Sequence, residues 1–309
     1  MSRMVLKQKK KRKLKLKFIF FFLIFCLSLY FSFNYMLKMN VNLDNKQIVE
    51  YLLEDAKFKD KNSGTLKKHL NNFFEPYTLL NMNVKKNTSK TKPVNKTETP
   101  KPLVYLYNTH QTEEYAKTTL AEYSVSPTVM ITNYIMENIL EKNNIETLVE
   151  ERRIKDVLNL NNWNYASSYR ASRVFLEDIK KENPSLKYFI DLHRDSLKKD
   201  KTTIQIGDKS YARILFLIGL ENDNYQQNLT FTEEINTQIN NKYPGLSKGI
   251  YKKGGEGVNG VYNQDFSPYT ILIEIGGYEN TTTEVMNTVI AISDIISEVI
   301  INNEQKEYS

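Results

Sequence analysis

The chain contains only three histidines, and two of them directly follow apolar runs of β type. His110 closes "VYLYNTH" and His193 closes "YFIDLH", while a third run, "TILIEIGG", encloses the carboxylate of Glu274. Two imidazoles and a carboxylate are the usual protein donors of a catalytic zinc that keeps one position open. A further carboxylate is then needed to take a proton from the attacking water. Burying Glu274 between Ile273 and Ile275 costs several kcal/mol unless it is paired or functional. Spacing alone leaves alternatives open. A strand-end histidine also serves as a hydrogen-bonded structural residue, and His193-Arg194-Asp195 also suits a salt-bridged turn. A kinase catalytic loop is excluded, since no Gly-rich loop, paired Lys or Asp-Phe-Gly accompanies it. No HExxH helix or cysteine cluster points to another metal site.

The elements that must position these residues follow from periodicity. "LVYLYN" from Leu103, "LKYFIDL" (186–192), "TTIQIG", "ARILFLIG" and "TILIEIGG" (270–277) read as strands. "TVMITNYIMENILEKN" (128–143), "WNYASSYRASRVFLEDIKKENP" (163–184) and "LTFTEEINTQINNKYPG" read as helices, the last two stopped at Pro184 and at Pro244-Gly245. Thr281 and Glu284 form a capping box for a final helix reaching about Ile301. Strand and helix alternate, and the strands are continuously apolar. The expected fold class is therefore α/β, a mostly parallel sheet covered by helices on both faces. In such a sheet ligands bind at the carboxyl ends of strands, where His110, His193 and Glu274 can converge.

The net charge of +7 is misleading as a sign of nucleic-acid binding. Residues 1–17 carry nine Lys/Arg and no acid, whereas 103–309 carry 21 basic and 29 acidic residues. Neutralising phosphates needs a basic face on the folded domain, and this domain is acidic. The basic tail precedes 20 uncharged residues, 18–37, enough to span a bilayer as a helix. Positive charge on the N-terminal side keeps that end cytoplasmic and exports the rest. The run is longer than a signal-peptide core, and no Ala-x-Ala site follows it, so an uncleaved single-pass anchor is expected. The only cysteine, Cys26, falls inside this span, which leaves the exported part without disulfides. The expected organisation is a basic tail (1–17), a transmembrane anchor (18–37), a membrane-proximal stalk (38–84), a Pro- and Lys-rich linker (85–102), a catalytic domain (103–303) and a short tail (304–309).

Five stretches in order, "YNTHQTEEY", "NPSLKYFIDLHRDS", "YPGLSKGIY", "YNQDFSPYTILIEIGG" and the closing helix, resemble the stage II sporulation protein P family over about residues 103–302. That family is similar to the zinc N-acetylmuramoyl-L-alanine amidases. The resemblance implies a zinc amidase-like fold, bound Zn²⁺, and cleavage of peptidoglycan during engulfment, both at the muramoyl–L-alanine amide and at stem-peptide cross-links. It also implies a sporulating Gram-positive source and a lytic transglycosylase partner like stage II sporulation protein D. Matched motif by motif, it implies His110, Glu113 and His193 as metal ligands and Glu274 as the catalytic base. Glu114 and Glu122 stand as alternatives to Glu113. Arg194 either faces substrate carboxylates or pairs with Asp195 or Asp191, and Asp191 either does that or orients a ligand. The first histidine of the family's His-Thr-His motif is Asn108 here. That departure sustains a second expectation, a catalytically weakened wall-binding or scaffold protein of the engulfment machinery.

Overall fold

Short β-branched and aromatic runs bounded by helices suit a sheet that is buried on both faces. A computed structural model describes residues 101–120, 123–125 and 127–307, together with 21–22, 24–25, 27–30, 45–46 and 48–50. The chain divides into two units, 1–43 with 117–126, and 44–116 with 127–309.

In the first unit, Phe21, Phe22, Ile24, Phe25 and Leu27 to Tyr30 are helical, with exposed apolar side chains. Among the described residues no helix is long and apolar enough to cross a membrane. Most of the expected 18–37 span lies outside the described residues, as do the 1–17 tail and linker residues 85–100. The unit also holds an antiparallel hairpin, β2 (Thr118–Leu120) with β3 (Tyr123–Val125).

The second unit is built on a six-stranded mixed sheet. Its strands are β1 (Val104–Tyr107), β4 (Thr147–Val149), β5 (Tyr188–Asp195), β8 (Ile214–Gly219), β9 (Ser247–Lys253) and β10 (Tyr269–Gly277), in the order β4-β1-β5-β10-β8-β9. All pairings are parallel except β8 against β10. The exception has a local cause. After β5 the chain makes a short helix α4 (Lys199–Thr202) and the hairpin β6 (Thr203–Ile206) with β7 (Lys209–Ala212) instead of a crossover. It therefore re-enters the sheet from the end where β5 finished, and β8 must run backwards.

Helices cover both faces. On one lie α1 (Met130–Lys142), α5 (Tyr225–Lys242) and α6 (Thr282–Glu307); on the other lies α3 (Ser168–Glu182), with α2 (Ile154–Leu160) packed against it. In α3 the buried residues Ser168, Ala171, Ser172, Phe175 and Leu176 repeat at helical spacing. Leu176 meets Tyr105, Tyr107 and Phe189 of the sheet. On the opposite face Val104, Leu106, Ile190, Leu192, Ile271 and Ile273 are fully buried.

Moving from β1 to β4 and then back across β1 to β5 reverses the direction of winding. Right-handed crossovers in opposite directions put α1 on one face and α3 on the other. The carboxyl ends of β1 and β5 thus flank a switch point, where such sheets bind ligands.

The capping box is present: Thr281 N–H donates to Glu284 Oε2 at 2.9 Å, and Glu284 N–H donates to Thr281 Oγ1 at 3.3 Å. The helix runs beyond Ile301 to Glu307, because Glu304 accepts a hydrogen bond from Tyr188 (2.7 Å) and pairs with Lys187 (2.8 Å). Residues 45–46 and 48–50 of the expected stalk are helical. Ile48 and Val49 are buried there, and Asn45 Oδ1 accepts from Thr128 N–H at 3.2 Å.

Candidate metal centre

The loop that leaves β1 is tied to β5 before it reaches the first histidine. Thr109 donates through its backbone N–H (2.9 Å) and its hydroxyl (2.6 Å) to the carboxylate of Asp191, which is fully buried. One turn follows, closed by Glu113 N–H donating to His110 O at 3.1 Å. That turn brings the side chains at positions i and i+3 together, with His110 Nδ1 3.6 Å from Glu113 Oε1. On β5, Asp191 and His193 alternate onto the same face. His193 Nδ1 is 3.9 Å from Glu113 Oε2, and its Nε2 is 2.9 Å from Asp191 Oδ1. The Asp191 contact is close but off the N–H direction, and Nε2 has no other partner, so it acts as an electrostatic contact more than a well-aligned hydrogen bond.

One ligand atom from each of His110, Glu113 and His193 lies within 4.8 Å of the others. Donors about 2.1 Å from a tetrahedral zinc stand roughly 3.4 Å apart, so the His–Glu separations need only small side-chain adjustments. The donor set suits zinc chemically as well. His193 offers Nδ1 to the cluster while its far nitrogen faces a carboxylate, the usual arrangement behind a metal-bound imidazole.

Electrostatics support a charged cluster. Burial pushes the Glu113 carboxyl upward, but the His110 hydrogen bond, the His193 charge and the Arg194 N–H outweigh it, and its pKa falls below the ordinary value. The Arg194 N–H donates to Glu113 Oε2 at 3.1 Å. For His193, burial works against protonation, yet Asp191, Glu113 and Glu274 raise its pKa overall.

Glu274 is the register partner of His193 on the neighbouring parallel strand, so the two side chains leave the same face. It stands outside the three-donor cluster. Burial, and then the charge of Asp195, raises its pKa above the ordinary carboxylate value, against His193, Lys253 and Lys248. A partly desolvated carboxylate with a raised pKa is suited to accept and return a proton.

Asn108 lies elsewhere. Its Nδ2 donates to Leu192 O at 2.6 Å, and its Oδ1 accepts from Asn133 of α1 at 2.7 Å. Strand alternation has turned this side chain to the α1 face, behind the sheet from His110 and His193. Arg194 pairs with neither aspartate: its guanidinium donates to Glu114 O (2.6 Å) and Asp195 O (3.2 Å), because Asp191 faces His193 and Asp195 is taken by Lys248 at 2.6 Å. Glu114 is exposed and forms a bridge with Thr128, while Glu122 lies outside the described residues.

Four residues around the cluster escaped sequence reasoning. Tyr165 stacks on His110 (ring centroids 5.1 Å apart), and Tyr169 meets both His110 (5.5 Å) and His193 (6.3 Å). Tyr262 packs edge-on against Tyr169 at 5.3 Å. Tyr165 lies in the 3₁₀ turn that leads into α3 and Tyr169 in the first turn of α3, a spacing of four visible in the sequence but equally typical of core. The fourth, Lys248, gave no signal.

Comparison with known proteins bears on this arrangement. The family profile described as Stage II sporulation protein P (SpoIIP) matches residues 29–297. A curated relative, "Stage II sporulation protein P" of Bacillus subtilis (strain 168), is 36% identical over 214 residues, covering 67% of this chain and 53% of its own. The chain thus spans about half the length of that relative. Among solved structures, the N-acetylmuramoyl-L-alanine amidase AmiC2 of Nostoc punctiforme aligns over 66% of this chain and 97% of its own, at 11% identity and TM-score 0.38. Cwp6 from Clostridium difficile aligns over 67% and 29%, at 13% identity and TM-score 0.40.

Proposed function

The chain belongs to the stage II sporulation protein P family, and from that premise we propose a membrane-anchored, zinc-dependent N-acetylmuramoyl-L-alanine amidase acting on peptidoglycan during engulfment. The observation that carries this reading is the meeting of His110, Glu113 and His193 at the carboxyl edge of the sheet, with Glu274 in register beside them. His110, Glu113 and His193 would hold the ion. Bound there, zinc supplies Lewis acidity that polarises the amide carbonyl and lowers the pKa of water.

The chain's own residues do the rest. Asp191 orients His193 from behind, and Thr109 in turn fixes Asp191. The Arg194 N–H holds Glu113 ionised and aimed. Glu274 takes a proton from the attacking water and delivers one to the departing L-alanine nitrogen. Tyr165 and Tyr169 immobilise the His110 ring by stacking and edge contact.

The remaining parts of the reading rest on sequence and resemblance. Residues 18–37, preceded by nine basic residues, anchor the chain with its N-terminus cytoplasmic and the catalytic domain outside. Residues 85–102 tether that domain. Stem-peptide endopeptidase activity and a lytic transglycosylase partner like stage II sporulation protein D complete it.

The test is digestion of purified cell wall by the full-length chain with zinc and with chelator, the fragments being identified by mass spectrometry. New L-alanine amino termini that vanish with chelator are expected. Wall that is bound but left intact would replace the amidase with a wall-binding scaffold.

A further inference from the structure

Next to Glu274 the sheet surface is built differently from the part under α3. The helix that packs on β8 and β9 is α5, and it does so from the opposite face, where Phe231 meets Tyr188. On the Glu274 face, β9 carries a bulge. Ser247 is opposite Ile214 and Ile250 is opposite Phe216, so three steps on β9 match two on β8. Gly249 absorbs the extra residue at φ +101°, and a Cβ placed there would meet nothing within 4 Å. Bulges re-aim side chains. Lys248 leaves this one to reach Asp195 on β5, at 2.6 Å.

Beyond the bulge, Tyr251 is opposite Leu217, which is itself opposite Leu272, so Tyr251 shares the face of Glu274 and is 53% exposed. Lys253, two residues on, points the same way, with its ammonium 5.4 Å from the Tyr251 ring centroid. Lys248 is neutralised by Asp195. Lys253 is half-buried and meets no carboxylate among the described residues. Its side chain lies on the face of the sheet that carries Glu274, beside the Tyr251 ring. An uncompensated ammonium is notable here, since 103–309 hold 29 acidic against 21 basic residues. A partly desolvated cation of this kind is arranged to meet an anion from outside.

We propose that Lys253, Tyr251 and the open backbone at Gly249 form a subsite for a carboxylate-bearing peptide, holding the acidic stem peptide just beyond the bond that Glu274 helps to break. The assignment of the peptide rests on the amidase reading above; the anion preference rests on the lysine. The ammonium pairs with the stem carboxylate, Tyr251 packs against the peptide's apolar atoms, and the gap at Gly249 lets the peptide backbone lie close to the strand.

The probes are soluble muramyl peptides whose stem carboxylates are either free or amidated, given to the full-length chain. Hydrolysis is followed with zinc, and binding is measured by calorimetry after chelation. Wild type should favour the free carboxylates by about 3- to 10-fold in KM and in binding, the scale of one charge-assisted contact at a half-exposed site. Lys253→Met should erase that preference both in KM and in binding after chelation, and Lys253→Arg should retain it. Cleavage of both probes with equal KM by wild type and Lys253→Met would overturn the subsite and leave the amidase standing. Preferential binding of the free form without cleavage would support the subsite and overturn the amidase.

Discussion

Asp191 and His193 lie two residues apart on β5 and project from one face, with Asp191 Oδ1 2.9 Å from His193 Nε2 and His193 Nδ1 turned toward Glu113. A carboxylate behind an imidazole fixes its tautomer and raises its basicity toward a metal. Asp191→Asn keeps the shape and one oxygen to accept from the Thr109 N–H, replaces the oxygen that accepts from the Thr109 hydroxyl by an amide donor, and removes that charge. Zinc affinity should fall about 10- to 100-fold, read by competition with a chelator, while circular dichroism stays native. Unchanged affinity would reduce Asp191 to a loop anchor for Thr109.

His193→Ala should abolish stoichiometric zinc binding without unfolding the domain. The core under the site is formed by Tyr105, Tyr107, Leu176, Leu186 and Phe189, and His193 contributes nothing to it. Metal analysis of the purified variant, alongside its thermal transition, tests both halves. Full zinc occupancy in a folded variant would mean that the ion sits elsewhere.

Glu274→Gln separates base from ligand. The side chain is in register with His193 but stands outside the three donors, so the variant should keep its metal and lose roughly 10²–10⁴-fold in rate. Glu113→Gln should instead loosen the metal. If metal analysis gave the reverse pattern, the two carboxylates would exchange roles.

Two carboxylates away from the site should give opposite pH dependences. Burial, then Glu141, pushes Glu137 on α1 up to about 7 from an ordinary 4.5, so the folded state binds more protons than the unfolded state between those values. Stability therefore falls as pH rises from about 4.5 to about 7. Glu137→Gln should flatten that slope and raise the melting temperature at pH 8. A melting curve identical to wild type at that pH would show Glu137 to be solvated.

Glu284 has the opposite sign. Its burial acts to raise the pKa, but Lys199 at 2.8 Å, the Thr281 N–H and Asn280 outweigh it and the pKa is lowered. The stability it contributes is present above the ordinary carboxylate range and is lost as pH falls through the lowered value. Glu284→Gln should therefore destabilise at neutral pH and lose its effect in strong acid. Thr281→Ala, which removes the other half of the capping box, should cost about 0.5–2 kcal/mol in denaturant titrations.

The strands that carry the site could be read from sequence because each is a β-branched or aromatic run that ends at, or encloses, a costly polar residue. Glu274 between two isoleucines is the clearest case. The convergence of distant strand ends could likewise be expected from the alternation of elements alone. The strands "TTIQIG" and "ARILFLIG" are legible after β5 with no helix between them, but not that the first belongs to a separate hairpin and that β8 therefore re-enters the sheet reversed. The strand β9, "SKGIYKK", escaped because an edge strand with one wet face and a bulge loses the alternation that marks a strand. Lys248 was hidden for the same reason. Asn108 is legible as a departure from the family pattern, but only the pleat shows that its side chain faces α1.

The backward run of β8 also bears on what kind of molecule can be handled. A parallel β8 would have needed a crossover helix on one face and would have started at the edge opposite His110 and His193. Instead β8 starts at the same edge as the two histidines, directly after the β6–β7 hairpin, and β9 beyond it keeps an open surface at Gly249 and Tyr251. The site is thus bounded by Tyr165 and Tyr169 on the α3 side, Tyr262 covers Leu217 and Leu272, and the exposed surface lies at the edge strand. On the amidase reading proposed above, that exposed edge would let a wall polymer be engaged at an interior position, its chain passing over β9 without an end entering first.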